Sequence, residues 1–219
     1  MLQSPFEVLY EDNHLLVVVK PAGLLTQETD LDNHSLENLA KAWLKEKYKK
    51  PFNVFLGVVH RLDKPASGIV LFAKTSKALS RLNDMIRSKE TTKVYCALIE
   101  GKLPKESGTL EHFLRHGDHM SFTTHRGDPE AKFARLHYDE IWNRDNKTLV
   151  QIVLETGRYH QIRNQFSAIG CPIIGDAKYG SRLTLSQGII ALHHYRLQLI
   201  HPVTKAALSF EAPLPDIFK

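Results

Sequence analysis

The chain has 219 residues, 42% of them hydrophobic and 24% charged, enough to bury a sizeable core as one domain or as two closely fused lobes. A formal charge of +5 and an isoelectric point near 9.1 suit a polyanionic partner without singling one out. No apolar run approaches membrane-spanning length, and Met1–Glu11 carries Glu7, Glu11 and a proline instead of a secretory leader, so the expectation is a soluble cytoplasmic protein.

Phe6–Leu25 alternates apolar residues around Asp12-Asn13, then runs through Leu15–Val19 into Lys20-Pro21-Ala22-Gly23, which reads as a hairpin followed by a turn. Ser35 caps a predicted helix whose apolar positions Leu36, Leu39, Ala40, Trp43, Leu44 and Tyr48 keep the 3.6-residue period and which stops by Pro51. Its lysines, Lys41, Lys45, Lys47, Lys49 and Lys50, lie on the opposite face, where charges are usually just solvated.

Gly57–Thr75 is the stretch the rest of the chain serves. Val58 and Val59 lead in and Ile69–Ala73 leads out as a buried strand, so the polar insert His60, Arg61, Asp63 is pinned at both ends. Pro65 and Gly68 favour a turn that exposes side chains. A second helix, about Lys77–Arg87, carries Ala78, Leu79, Leu82, Met85 and Ile86 on one stripe.

Val94–Ile99 is a strand centred on Tyr95, and a tyrosine there is core packing most of the time. Gly108–Asp128 turns polar and carries His112, His116, His119 and His125, with Gly117-Asp118 and Gly127-Asp128 as turn signals. No ordered ligand spacing completes a metal set, so a polar hairpin is the better reading. Cys96 and Cys171 each sit in an apolar context without CxxC spacing, as reduced buried thiols do. Leu149–Glu155 alternates and runs into Thr156-Gly157-Arg158-Tyr159-His160-Gln161-Ile162-Arg163, where Ile162, Phe166 and Ile169 make a helical stripe ended by Gly170 and Pro172. That helix start presents His160, Gln161 and Arg163, a place that favours an anion.

His60-Arg61-Leu62-Asp63, followed by Ser67-Gly68 and a strand ending in Ala73-Lys74, resembles the signature of the RluA-type RNA pseudouridine synthases. Lys20-Pro21-Ala22-Gly23, Lys93-x-Tyr95-x-Ala97, and the Thr156–Arg163 block continuing to Pro172–Asp176 and Lys178-Tyr179-Gly180 fit the same pattern, as do Leu192-His193, Tyr195, His201-Pro202 and Phe210–Pro215. Ala66 departs from it, since the family usually has threonine before Ser-Gly. Only a few residues precede Phe6, where many relatives carry a small S4-like RNA-binding domain. The resemblance therefore implies one catalytic domain over residues 1–219, two fused lobes and no separate RNA-binding domain.

The implied fold is α+β: the pseudouridine synthase fold, a central mixed, mainly antiparallel sheet with flanking helices and an active-site cleft. The pattern of several alternating strands and about three helices points the same way. The implied reaction breaks the uridine N1–C1′ bond, rotates the uracil and rejoins it through C5, with no metal, no cofactor and no nucleotide donor. The resemblance makes Asp63 the nucleophile, Tyr95 a flat platform for the uracil with proton removal from C5 as a further task, and Arg163 the cation paired directly with Asp63. Arg61 fills the gap left by the extruded base, and RNA contact extends to His60, Lys20, Arg158, His160, Gln161 and Lys178. Partners are rRNA or tRNA, the state a monomer, and Gly108–Asp128 an RNA-contacting hairpin. A non-catalytic RNA-binding protein shares the charge but has no use for Asp63, Tyr95 and Arg163 in three separate motifs. A nucleoside or base glycosylase normally wants a metal site or a second carboxylate, and no Asp-rich cluster accompanies Asp63.

Overall fold

A computed structural model describes residues 5–219. The elements run β1 (Glu7–Glu11), β2 (Leu15–Lys20), α1 (Leu36–Lys47), β3 (Gly57–Val58), β4 (Ser67–Ala73), α2 (Ser76–Arg87), β5 (Thr92–Glu100), β6 (Ser107–His116), β7 (Ser121–Thr124), β8 (Lys132–Arg144), β9 (Lys147–Leu154), α3 (Gln161–Ala168), β10 (Leu192–Ile200) and β11 (Ala207–Glu211). This is an α+β chain in which antiparallel pairings dominate. It divides into two compact units, one formed by the residues to Thr91 with Arg196–Ala212, the other by Thr92–Tyr195 with Pro213–Lys219.

In the first unit β2 pairs with β1 on one side and β4 on the other, Lys20 opposite Gly68 and Val18 opposite Val70. Both β2 and β4 are buried on both faces, which is why Leu15–Val19 and Ile69–Ala73 read as continuous apolar runs instead of alternating ones. The odd-numbered residues Leu15, Val17, Ile69 and Leu71 meet Ala78, Leu82 and Met85 of α2 together with Leu197, Leu199 and Phe210. Each of these side chains larger than alanine contributes about 1.5–3 kcal/mol on leaving water. Ser35 caps α1 by accepting from the Asn38 amide, and Thr75 caps α2 by accepting from Ala78. The α1 lysines are partly absorbed locally: Lys41 pairs with Glu37, while Lys47 pairs with Glu11 and lies over the Trp43 ring.

The second unit orders its strands β5-β9-β8-β6-β7. Asp145 and Asn146, both at positive φ, make the tight turn between β8 and β9, a conformation that Asp and Asn tolerate and that matches strand twist. Phe166 of α3 is fully buried and meets Tyr138 edge-on at 5.9 Å between ring centres. The histidine-rich Gly108–Asp128 stretch is indeed a hairpin, β6 paired with β7, and among the described residues no group of three or more His, Cys, Asp or Glu is arranged to hold a metal ion. Cys96 and Cys171 are buried and not joined to each other in a disulfide.

Candidate active site

Asp63 is half-buried in the loop between β3 and β4, and both of its neighbours are tied down. On one side, the Thr26 hydroxyl donates to the Leu62 carbonyl at 2.9 Å and accepts from the Leu62 amide at 3.1 Å. On the other, the Lys64 carbonyl accepts from the Gly23 amide at 2.8 Å and from the Lys20 ammonium at 3.1 Å. The Asp63 carbonyl itself accepts from Ala66 at 3.0 Å, which closes the turn predicted around Pro65. Two loops distant in sequence are thus laced together across the residue, and on the Leu62 side the lacing satisfies backbone groups that would otherwise be buried unpaired.

Lys20 departs from the sequence expectation. Expected at RNA, it is fully buried, and its ammonium donates to the carbonyls of Pro21 at 3.0 Å, Leu24 at 2.7 Å and Lys64 at 3.1 Å. Burial pulls its pKa down from the ordinary lysine value to about 7, with the charge of Asp63 acting in the opposite direction. His60 is half-buried and its Nε2 accepts from the Leu71 amide at 3.2 Å, which places a neutral ring's proton on Nδ1. Arg61 is exposed to solvent.

In the second unit Tyr95 lies on β5, 7% exposed, with the buried His194 ring stacked on it at 4.5 Å and 15°. Lys93 shares its face of the strand, and burial lowers that ammonium's pKa. Sequence reasoning named Lys93 only as part of a motif, with no role, and passed over His194. A histidine following His193 in a strand carries no signal of what its ring will face.

Arg163 lies in the first turn of α3 and is 5% exposed. Its Nε and Nη2 donate to the two oxygens of Asp176 at 2.7 and 2.8 Å, and Nη1 lies 2.9 Å from Nε2 of His160. His160, in the left-handed conformation at the helix start, has Nδ1 at 3.0 Å from the Tyr179 hydroxyl. That hydroxyl accepts from the Ser121 amide at 2.8 Å, so the chain of bonds ends on β7. Gln161 is a second departure. Expected at RNA, it is 3% exposed, its carbonyl oxygen accepting from Thr156 and Arg158 and its amide donating to Arg135 and Gln165. The residue type was legible as polar, but not that the turn before α3, β8 and α3 itself would together consume its whole hydrogen-bonding capacity. Arg158 and Lys178 are exposed, donating to the carbonyls of Phe133 and His119. Tyr159 is exposed too, its ring stacked on His160 at 3.8 Å.

The fold is that of the RNA pseudouridine synthases. Two solved human structures, RNA Pseudouridylate Synthase Domain Containing 4 and Domain Containing 1, superpose with TM-scores of 0.80 and 0.71 at 23% and 22% identity, covering 97% and 96% of this chain and 90% and 84% of theirs. At that identity the likeness concerns the fold alone.

Sequence comparison settles the family. The family described as RNA pseudouridylate synthase matches residues 14–168. The chain is 35% identical to the uncharacterized RNA pseudouridine synthase YhcT of Bacillus subtilis, over 97% of this chain and 70% of that one. It is 34% identical to the ribosomal large subunit pseudouridine synthase D of Pseudomonas aeruginosa, over 97% and 69%, and to that of Nitrosomonas europaea, over 97% and 63%. The chain belongs to the RNA pseudouridylate synthase family, RluA type, and is an isomerase of uridine in RNA.

Proposed function

We propose that Asp63 is the nucleophile of this isomerisation and that Tyr95 and Arg163 serve the same reaction. The supporting observation is the way the Asp63 loop is built: Leu62 and Lys64 are each fixed by side chains from the Lys20–Thr26 segment, so the backbone that carries Asp63 is set before substrate arrives. Breaking N1–C1′ develops positive charge at the sugar, which an oriented carboxylate stabilises, either by bonding to C1′ or by promoting loss of a proton to give a glycal. The detached uracil then turns and bonds through C5. Tyr95 gives the ring a flat surface and is suited to the departing C5 proton. Arg163 keeps the nucleophilic carboxylate ionised through a direct ion pair.

The target nucleotide has to leave the stack, at a cost of about a few kcal/mol. Arg61, exposed and planar at its tip, is proposed to take the vacated place, with His60, Arg158, His160 and Lys178 along the RNA. Lys20 and Gln161 are proposed to act indirectly, by shaping the loops they bond. The substrate is proposed to be ribosomal RNA, as the printed names of two relatives suggest for those proteins, with tRNA the other candidate; the proposed setting is the cytoplasm and the proposed state a monomer. No helix among the described residues is long and apolar enough to cross a membrane.

The test is Asp63→Asn, which keeps volume and removes the charge. Tritium release from total RNA carrying 5-tritiated uridine should fall to background, while retention of that RNA on filters stays within a few-fold of wild type. Turnover near the wild-type rate would remove Asp63 from the reaction.

A further inference from the structure

We propose that Asp176 is a positioning residue for Arg163, fixing the plane of the guanidinium so that only chosen N–H groups face the reaction. The proposal rests on the reading of Arg163 given above. A guanidinium offers five N–H donors in a rigid fork. Asp176 takes Nε–H and one hydrogen of Nη2, the two parallel donors along one side, at 2.7 and 2.8 Å. His160 faces Nη1 at 2.9 Å. Beyond these three bonds the group carries one further hydrogen on each terminal nitrogen, and those two can address a reacting carboxylate.

The bracket is built by one short segment. Gly175 is left-handed, with φ of 89°, and a Cβ there would stand 2.4 Å from the Ile189 carbonyl oxygen, so only glycine lets the chain turn this way before Asp176. Directly after it, one turn of 3-10 helix over Ala177–Tyr179 brings the Tyr179 ring to 5.0 Å from the guanidinium carbon and its hydroxyl to His160. Arg163 must donate to Nε2 of His160, because an arginine has no acceptor. His160 is therefore held as the neutral tautomer with its proton on Nδ1, directed at the Tyr179 oxygen. Asp176 and Tyr179, three residues apart, thus fix the guanidinium through two different edges.

Charge gives the arrangement a second consequence. Asp176 is 2% exposed and Arg163 5%, so the pair is desolvated and close to neutral overall. A reacting carboxylate paired with Arg163 then meets oriented N–H groups on a cation whose charge Asp176 partly offsets. Misplacing such a group by about 1 Å is enough to cost on the order of 100-fold in rate.

The experiment compares Asp176→Asn, Arg163→Met and the double variant, reading single-turnover tritium release and filter retention with total RNA carrying 5-tritiated uridine. Asp176→Asn is expected to lose about 10–100-fold in rate with RNA retention within a few-fold of wild type, and to cost nothing further in the Arg163→Met background. Should Asp176→Asn fail to fold, two variants replace it. The double variant removes both buried charges together and should fold, and Asp176→Glu keeps the charge at a displaced position and should recover only part of the rate. A full rate in Asp176→Asn or Asp176→Glu, with Arg163→Met slowed to a small residual rate, overturns the role of Asp176 and leaves that of Arg163 standing. Losses that add in the double variant, or that follow the thermal midpoint and vanish at low temperature, mark Asp176 as merely structural and overturn the proposal. A full rate in Arg163→Met sinks the reading of Arg163 and the proposal with it.

Discussion

Lys20 shows how far a residue's neighbours decide its chemistry. Pro21, Leu24 and Lys64 turn their carbonyls to an ammonium that burial has pushed down to about 7, and Asp63 favours keeping its proton. Below about 7 the amine is charged in the folded and unfolded chains alike, and the full cost of burying the charge is present. Between about 7 and the ordinary lysine value of 10.5 the unfolded chain binds one proton more than the folded one, so stability rises with pH. Urea unfolding of wild type against Lys20→Met should therefore show wild type gaining on the variant from pH 7 to pH 10, by on the order of 1 kcal/mol per pH unit. A gap that stays constant across that range would mean that Lys20 titrates elsewhere. The one-letter pattern could not reveal this. A lysine closing an apolar run before a proline looks like a strand end reaching water, and only the folded loops, which turn three carbonyls to the ammonium, show how it stays inside.

At the scale of elements, what was legible followed from periodicity and capping. Ser35 starts α1 where its apolar stripe begins, the stripe expected over about Lys77–Arg87 became α2, whose cap Thr75 had gone unread, and the runs Leu15–Val19 and Ile69–Ala73 became the doubly covered strands their continuity implies. Connections were harder to read, because their bonds join segments far apart in sequence. Thr26 is one of an ordinary pair, Leu25-Thr26, yet its buried hydroxyl answers both the amide and the carbonyl of Leu62, 36 residues away. Thr26→Val keeps the shape and leaves two buried backbone groups without that partner, so it should cost about 1–3 kcal/mol in chemical denaturation. It should also slow pseudouridine formation in excess of what the stability loss explains at 25 °C, because the residue it releases adjoins Asp63. An unchanged denaturation midpoint would show that the hydroxyl's bonds contribute nothing to the loop.

For the whole molecule, the candidate residues divide between units: Asp63, His60 and Arg61 belong to the first, Tyr95, His160 and Arg163 to the second. Composition and periodicity had no means of joining them. The catalytic expectation came instead from several ordered motifs, through likeness to a family, where the local pattern of a lone tyrosine favoured plain packing. The basic charge of +5 was legible from the start, but which cations are available to a polyanion was not. Arg135 pairs with Glu111 and Glu155, Arg115 with Glu130, and Lys74 with Glu11. Among the described residues Arg61, Arg158 and Lys178 have no carboxylate partner and are exposed. A phosphate held by one of these releases counterions when it binds, so RNA affinity should fall steeply as salt rises. Changing Arg61, Arg158 or Lys178 singly to glutamine should flatten the slope of log affinity against log salt by about 1 each. Arg135→Gln should leave the slope nearly unchanged, since its charge is already answered within the sheet. Equal slopes for Arg158→Gln and Arg135→Gln would mean that the carboxylates around Arg135 give way to RNA, and that the exposed, unpaired cations do not mark the RNA path.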